Sequence, residues 1–163
     1  LRNSPFENGV IGLPPIKLAV SEYRRNENSL LVCHKTSNYM ENYIEGQKCM
    51  KAGFDGAVFL NSVDMIAATI KSTVFFVSGQ TIYTPEVRCG ILPGVIRNWV
   101  INQAAALGLK CVQGCYPLEI LLDSDEVFVT NSVVGILPVY SVSNQVIYNK
   151  SSNQITTQLA EKY

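Results

Sequence analysis

The feature that most constrains the fold of this 163-residue chain is a series of short apolar runs separated by turn residues. Residues 57–60 form an apolar run between a glycine and an asparagine, which is typical of a buried strand. Residues 73–77 and 81–83 flank a Gly-Gln pair and predict a β-hairpin. Further strands are predicted at 16–22, 30–33, 110–112, 126–130 and 139–142, with residues 146–148 pairing back onto 139–142 across a turn at 144–145.

Helical spacing of apolar residues predicts only a few helices. The first is expected over residues 37–52, where apolar and aromatic residues fall mostly on one helical face and a glycine follows the end. The second is expected over 93–107, with proline in its first turn and glycine after its end. Shorter helices are predicted at 117–122 and 154–161. Because the strands cluster instead of alternating strictly with helices, we expect an α+β fold.

Composition excludes several classes of protein. Apolar residues make up 47% of the chain and charged residues 16%, a balance typical of a globular domain with a sizeable core. The formal net charge is zero and the basic residues are scattered, which argues against a nucleic-acid partner. The longest apolar runs, such as residues 133–137, are too short to cross a bilayer, so no membrane partner is expected.

The cysteines predict free thiols and no metal site. There are five of them, and an odd number without a secretory signal favours a reducing compartment. Cys111 and Cys115 do not have a convincing zinc-binding spacing, and His34 is the only histidine in the chain. We therefore expect ordinary buried thiols.

Several segments, in order along the chain, resemble the fold-type IV pyridoxal-phosphate enzymes. These are the branched-chain and D-amino-acid aminotransferases and aminodeoxychorismate lyase. The matching segments are residues 18–25 (LAVSEYRR), 34–39 (HKTSNY), 53–61 (GFDGAVFLN), 72–77 (STVFFV), 92–97 (LPGVIR), 125–132 (DEVFVTNS) and 137–139 (LPV). An ordered series is far more specific than any one short motif.

The resemblance implies the larger, C-terminal domain of the D-amino-acid aminotransferase-like fold, an α+β twisted sheet or partial barrel with flanking helices. Residues 1–15 are rich in Asn, Gly and Pro and predict an interdomain linker. Residues 16–163 would then be the cofactor-binding domain, and the smaller N-terminal domain would be absent from this chain. Because the family site lies between the two domains, this chain alone is expected to be inactive.

Lys35 is the residue on which the family chemistry would depend. Taken alone, a lysine near a helix start is more typical of solvated surface, and its charge opposes the helix dipole. The resemblance instead implies that Lys35 forms a Schiff base with pyridoxal 5'-phosphate and moves protons on the bound substrate. His34 is expected to be only its neighbour. Tyr39, four residues on, matches a tyrosine that hydrogen-bonds the cofactor's phenolic oxygen, and would share a helical face with Lys35.

Two segments are expected to hold the cofactor phosphate. Residues 92–97 open a helix, whose free N–H groups and dipole favour an anion, and Gly94 allows close approach. The resemblance implies contacts from the N–H groups of Val95 and Ile96, although the family often has threonine where this chain has Ile96. Thr130 and Ser132 match the second phosphate segment, with Ser132 the expected hydroxyl contact.

Ala68 is the main departure from the family pattern. A glutamate usually stands at this position, where it pairs with the pyridine nitrogen and keeps it protonated, so that the ring accepts electrons. Alanine cannot do this. Asp64 falls in the preceding turn and Lys71 has the wrong charge, so neither residue is expected to replace the glutamate.

The resemblance implies three functions, which the sequence leaves open. The first is aminodeoxychorismate lyase in 4-aminobenzoate and folate synthesis, favoured by the short lyase-like spacing from Lys35 to Tyr39. The second is a branched-chain or D-amino-acid aminotransferase. The third is a degenerate, non-catalytic relative, because of Ala68 and Ile96. For the enzymes we expect a small-molecule amino substrate, a homodimer and a cytoplasmic location.

Overall fold

The computed structural model describes residues 6–7, 10–11, 13–146 and 154–163 of the chain. The strands are β1 (Phe6–Glu7), β2 (Val10–Ile11), β3 (Ile16–Arg25), β4 (Gly56–Asn61), β5 (Ile66–Thr69), β6 (Thr73–Ser78), β7 (Thr81–Pro85), β8 (Lys110–Gly114), β9 (Glu126–Asn131), β10 (Gly135–Val142) and β11 (Gln145–Val146). The α-helices are α1 (Met40–Lys51), α2 (Val95–Ala106), α3 (Leu118–Leu122) and α4 (Gln154–Lys162).

Strands β3 to β11 form one mixed sheet of nine strands, in the order β5-β4-β3-β10-β9-β6-β7-β8, with β11 on β10. The pairs β3–β4, β3–β10 and β7–β8 are parallel, and the other pairs are antiparallel. The two ends of this order approach each other, since the Ile66 N–H of β5 donates to the Tyr116 carbonyl just beyond β8 at 2.8 Å. The sheet is therefore curled into a half-barrel, and the α+β prediction with a partial barrel is confirmed.

Each face of the sheet has its own apolar core, which explains why the central strands are apolar almost throughout. Side chains alternate between the faces along β6, so Val74 and Phe76 pack with α3 while Phe75 and Val77 pack with α2 and α4. Phe75 stacks on Phe128 of β9 with ring centroids 4.9 Å apart. This double burial fixes the register of the strands near the candidate site.

Helix α4 is attached to the sheet through one buried carboxylate. Glu126 of β9 is only 3% exposed and accepts hydrogen bonds from the N–H groups of Ile155 and Thr156, at 3.1 and 2.8 Å. The Thr156 hydroxyl donates to the same carboxylate at 2.6 Å. The carboxylate thus satisfies first-turn N–H groups that have no acceptor within the helix and lies at the positive end of its dipole.

The structure corrects several of the predicted elements. Residues 30–33 are not a strand but a series of turns, with Leu30 85% exposed, because no neighbouring strand supplies hydrogen bonds there. Strand β3 continues to Arg25, beyond the predicted end at residue 22, and β5 was not predicted. Strand β11 does pair with β10, through a turn at Ser143 and Asn144, whereas residues 147 and 148 lie outside the described residues.

Two further findings concern the first residues and the helices. Strands β1 and β2 pair antiparallel within the segment predicted to be a linker. Among the described residues, no helix combines the length and the apolar character needed to cross a membrane.

Candidate functional site

Lys35 lies in the connection between β3 and α1, and its side chain is exposed. Helix α1 begins at Met40, with Tyr39 as its N-cap, and not at residue 37. The prediction that Lys35 and Tyr39 share a helical face is therefore wrong. Ser37 and Asn38 lie in this connection, and their short polar side chains favour turns over helix. His34 is also exposed, and its Nδ1 lies 2.7 Å from the Leu30 carbonyl oxygen.

Tyr39 is attached to the segment that follows β5. Its hydroxyl donates to the Ile70 carbonyl at 2.9 Å, and its side chain is 43% exposed. Partial burial raises the pKa of the Tyr39 hydroxyl, and the positive charge of Arg25 opposes that shift. A phenol has one proton to donate. Tyr39 would therefore have to release Ile70 in order to donate a hydrogen bond to a ligand.

Arg25 lies beside Tyr39 and was not among the residues predicted for the site. Its guanidinium stacks 4.3 Å from the centre of the Phe59 ring and donates to the Asn42 amide oxygen at 2.6 Å. Burial lowers the pKa of Arg25, and the charge of Glu41 partly restores it. A fixed positive charge therefore stands at the end of β3, beside Tyr39. The signal available in the sequence was an arginine pair after an apolar strand.

Three of the predicted residues meet around the segment from Ile70 to Thr73. Ile70 binds Tyr39, as described above. A Cβ added to Gly94 would lie 3.3 Å from the Thr73 hydroxyl, so α2 begins beside Thr73. Thr73 also stands opposite Thr130 in the β6–β9 pair. Tyr39, Gly94 and Thr130 are thus grouped around four consecutive residues.

The first turn of α2 offers N–H groups but no capping side chain. Gly94 is its N-cap, in extended conformation, and no side chain bonds the cap. The N–H groups of Val95 and Ile96 have no acceptor within the helix, because they precede its first carbonyl partner. The Val95 side chain is 74% exposed, and that of Ile96 is buried against the sheet. Only the backbone of Ile96 can therefore contribute to an anion site.

The two residues predicted on the second phosphate segment have different environments. Thr130 is 3% exposed, and its hydroxyl has no hydrogen-bond partner among the described residues. Ser132 is exposed in the turn after β9. The turn is organised by Asn131, whose amide oxygen accepts the N–H groups of Val133 and Val134 while its amide nitrogen donates to the Ser72 hydroxyl.

Ala68 occupies an apolar position on β5. It is 7% exposed and packs with Ala67 and Ile91, both fully buried. Ile91 lies three residues before Gly94, so Ala68 borders the approach to α2. Asp64, the nearest carboxylate earlier in the chain, forms an exposed ion pair with Arg24 at 2.7 Å. Asp64 therefore does not supply the missing carboxylate at this position.

Comparison with known proteins gives the family. The Amino-transferase class IV family profile matches residues 3–142. Aminodeoxychorismate lyase of Bacillus subtilis (strain 168) is 34% identical over 144 residues, covering 88% of this chain and 49% of that protein. A putative branched-chain-amino-acid aminotransferase of Methanocaldococcus jannaschii is 29% identical over 160 residues, covering 94% of this chain and 56% of that protein.

Comparison with solved structures points to the same family. The branched-chain aminotransferase of Thermoproteus uzoniensis with norvaline superposes with a TM-score of 0.87 at 25% identity, covering 98% of this chain and 53% of that one. The chain spans about half the length of the curated relatives it matches. It belongs to the class IV aminotransferase family.

Proposed function

We propose that the protein containing this chain is a pyridoxal-phosphate-dependent aminodeoxychorismate lyase, in which Lys35 attaches to the cofactor and transfers protons. The observation that supports this most is the grouping of Tyr39, Gly94 and Thr130 around residues 70–73. The lyase of Bacillus subtilis is the relative with 34% identity.

The residues present suit the phosphate end of the cofactor. Gly94 leaves the space of a side chain beside Thr73, and the first-turn N–H groups of α2 are directed toward an anion placed there. The Thr130 hydroxyl is buried without a partner among the described residues, and satisfying such a group favours a ligand on this side of the sheet. Arg97 donates from one guanidinium nitrogen, Nη2, to the Pro85 carbonyl and the Gln113 amide oxygen at 2.9 and 2.8 Å. Its buried Nε has no hydrogen-bond partner among the described residues.

The pyridine end would differ, because the family resemblance puts Ala68, with only a methyl group, at the position of the carboxylate that stabilises a protonated ring nitrogen. Bound pyridoxal phosphate supplies an aldehyde for covalent attachment and a ring that withdraws electrons. Lys35 is exposed on a connection that is free of helix and strand hydrogen bonds, so its amine can reach a ligand. As general base and acid, it would take a proton from the substrate carbon and return one.

The proposed reaction divides aminodeoxychorismate into 4-aminobenzoate and pyruvate. All atoms of the substrate appear in these two products, so no second substrate is needed. We place the protein in the cytoplasm as a homodimer with a site completed by a second domain, as in the family expectation. The chain's share of about half of its relatives' length agrees with such a division.

A branched-chain or D-amino-acid aminotransferase is the second candidate. It is supported by the 29% identity to the Methanocaldococcus jannaschii relative and by the likeness to the Thermoproteus uzoniensis structure. Ala68 does not separate it from the lyase, because both reactions remove a proton from the substrate carbon and draw on the electron-withdrawing ring. A non-catalytic relative is the third candidate, and Ala68 and the apolar Ile96 side chain are the observations that favour it.

Reductive labelling tests the proposal. The protein is mixed with pyridoxal phosphate, reduced with borohydride and mapped by peptide mass spectrometry. We expect the phosphopyridoxyl group on Lys35. Lys71 is the matched control, since it is exposed and follows the residue that binds Tyr39. Lys71→Arg should leave the labelling unchanged, and Lys35→Arg should abolish it. Label on Lys71 or other lysines, with Lys35 unmodified, would refute the assignment.

Product analysis then separates the candidates. The protein is incubated with aminodeoxychorismate, and 4-aminobenzoate is measured by its fluorescence. In parallel, branched-chain and D-amino acids are tested with 2-oxoglutarate as amino acceptor. Formation of 4-aminobenzoate that is lost in Lys35→Arg supports the lyase, and amino transfer without it supports the aminotransferase. Cofactor labelling of Lys35 with neither product would favour the non-catalytic relative.

A further inference from the structure

Two cysteines outside the proposed site lie in contact. Cys89 ends a single 3₁₀ turn, Val87–Cys89, and Cys115 directly follows β8. Their sulfur atoms are 2.8 Å apart, although the residues are separated by 26 positions in the chain. Cys89 is fully buried and Cys115 is exposed. One sulfur of the pair is therefore open to solvent, and the other lies directly behind it.

The backbone holds both cysteines in place. Pro85 and Gly114 are partners in the parallel β7–β8 pair, and the Glu86 N–H continues it by donating to the Gly114 carbonyl at 3.0 Å. The Cys89 N–H in turn donates to the Glu86 carbonyl at 3.0 Å. The contact between the sulfurs is thus determined by strand pairing and a hydrogen-bonded turn. No rearrangement of the sheet is needed for the sulfurs to react.

We infer that Cys89 and Cys115 are a redox-active thiol pair, which a peroxide converts into a reversible intramolecular disulfide. The inference does not depend on the proposed lyase activity, because it involves neither Lys35 nor the cofactor. It also differs from the sequence expectation of ordinary buried thiols, since Cys115 is exposed.

The surroundings assign different roles to the two sulfurs. Burial raises the pKa of the Cys89 thiol to about 12, so Cys89 remains protonated and out of reach of solvent oxidants. Cys115 lies in a group with Glu86 and Arg88, where its Sγ is 3.4 Å from the Glu86 carboxylate and Arg88 is paired with that same carboxylate. Cys115 is exposed, so a solvent oxidant can reach its sulfur. Cys115 is therefore the sulfur that meets the oxidant, and Cys89 is the resolving one.

The reaction has two balanced steps. The Cys115 thiolate attacks one peroxide oxygen, the O–O bond breaks, and a sulfenic acid and one water form after protonation. The Cys89 sulfur then attacks the Cys115 sulfur, the S–O bond breaks, and the disulfide forms with release of a second water. Two thiols lose two electrons in total, and the peroxide gains them. A small dithiol reverses the reaction by thiol–disulfide exchange.

A bound metal ion is the competing explanation, because ligand atoms of Glu86, Cys89 and Cys115 lie within 4.8 Å of one another. Two thiolates on a tetrahedral zinc ion, at about 2.3 Å each, would stand roughly 3.8 Å apart. The observed sulfur separation of 2.8 Å is much shorter. Arg88 also places a positive charge on the Glu86 carboxylate, which disfavours a cation. The geometry therefore fits a covalent sulfur pair better than a metal site.

Peptide mapping of oxidised protein tests the inference. Trypsin cuts after Arg88, Arg97 and Lys110, so Cys89 and Cys115 fall in separate peptides. The second peptide also contains Cys111, so the experiment uses Cys111→Ser as background. After treatment with hydrogen peroxide we expect a linked Cys89–Cys115 peptide, which dithiothreitol removes.

Two variants sharpen the outcome. In Cys111→Ser/Cys115→Ser the linked peptide should be absent. In Cys111→Ser/Cys89→Ser the Cys115 sulfenic acid should persist and be trapped by dimedone. The inference is overturned if peroxide converts Cys115 to the sulfonic acid without any linkage while Cys89 is present. It is equally overturned if the purified Cys111→Ser protein holds one equivalent of zinc that both of these double variants lose.

Discussion

Restoring a carboxylate at position 68 is the sharpest test of how this chain would hold its cofactor. Ala68 is 7% exposed and packs with the fully buried Ala67 and Ile91. In the apo-protein, Ala68→Glu should cost about 2 kcal/mol for an unpaired buried polar group and about 2 kcal/mol for the added volume. A loss of about 4 kcal/mol corresponds to a Tm lower by about 8–16 °C in a domain of this size.

Pyridoxal phosphate should reverse part of this loss. If position 68 faces the pyridine nitrogen, a charge-assisted hydrogen bond contributes about 1.5–3 kcal/mol in the complex only. Cofactor affinity should then rise about ten- to a hundredfold relative to the native chain. At saturating cofactor, the rise in Tm on adding pyridoxal phosphate should be about 3–12 °C larger than for the native chain.

Ala68→Gln is the matched control, because it adds the same volume and a buried polar group without the charge. Thermal unfolding followed by circular dichroism, with and without pyridoxal phosphate, gives the Tm of the apo-protein and the rise in Tm on adding cofactor. Cofactor absorbance titration gives the affinity. The reasoning fails if the Glu and Gln variants show the same cofactor-dependent rise in Tm. That result would mean that position 68 does not face the ring.

Four further substitutions test other contacts. Glu126→Gln should lower the free energy of unfolding by about 2 kcal/mol, since one carboxylate oxygen facing the α4 donors becomes a donor itself, and urea denaturation measures this. Gly90→Ala should lower the free energy of unfolding by about 2–3 kcal/mol in the same assay. The φ of Gly90 is 87°, and the new Cβ would lie 2.9 Å from the Glu27 Cα. Gly108 also has a positive φ, 71°, but a Cβ added there would have no atom of the described residues within 4 Å beyond its two chain neighbours, so Gly108→Ala should lower the free energy of unfolding by about 1 kcal/mol. Equal losses for Gly90→Ala and Gly108→Ala would contradict the steric argument. Tyr39→Phe should change the free energy of unfolding by less than about 1 kcal/mol, because the hydrogen bond from Tyr39 to Ile70 is partly solvated. The same substitution should weaken pyridoxal phosphate binding, measured by absorbance titration. Unchanged affinity would remove Tyr39 from the cofactor contacts.

Local signals in the sequence predicted most of the fold correctly. The β6–β7 hairpin and helix α2 follow from turn residues, a proline and a glycine that act within a few positions. The failures are non-local. Residues 30–33 have strand-like composition but no partner, and β5 becomes a strand because β4 and the Tyr116 segment bond it from both sides.

The sequence predicts the candidate site as a set of residues but not as a geometry. The family pattern pointed to Tyr39, Gly94 and Thr130, but nothing in their spacing indicates that they meet around residues 70–73. The contact between Cys89 and Cys115 was missed for the same reason, because it depends on the parallel register of β7 and β8. Tertiary pairing determines which distant residues become neighbours, and a single sequence does not encode that pairing locally.

The position of β3 has a consequence for how the chain is made. This strand lies between β4 and β10, so Leu18 is paired with Gly56 on one side and with Val142 on the other. During synthesis from the N-terminus, β4 becomes available early, whereas β10 follows more than a hundred residues after β3. Until then β3 has one edge of unpaired backbone groups, which can join the same edge of another nascent chain. Translation that stalls before residue 135 should therefore produce aggregates instead of a partly folded, soluble domain.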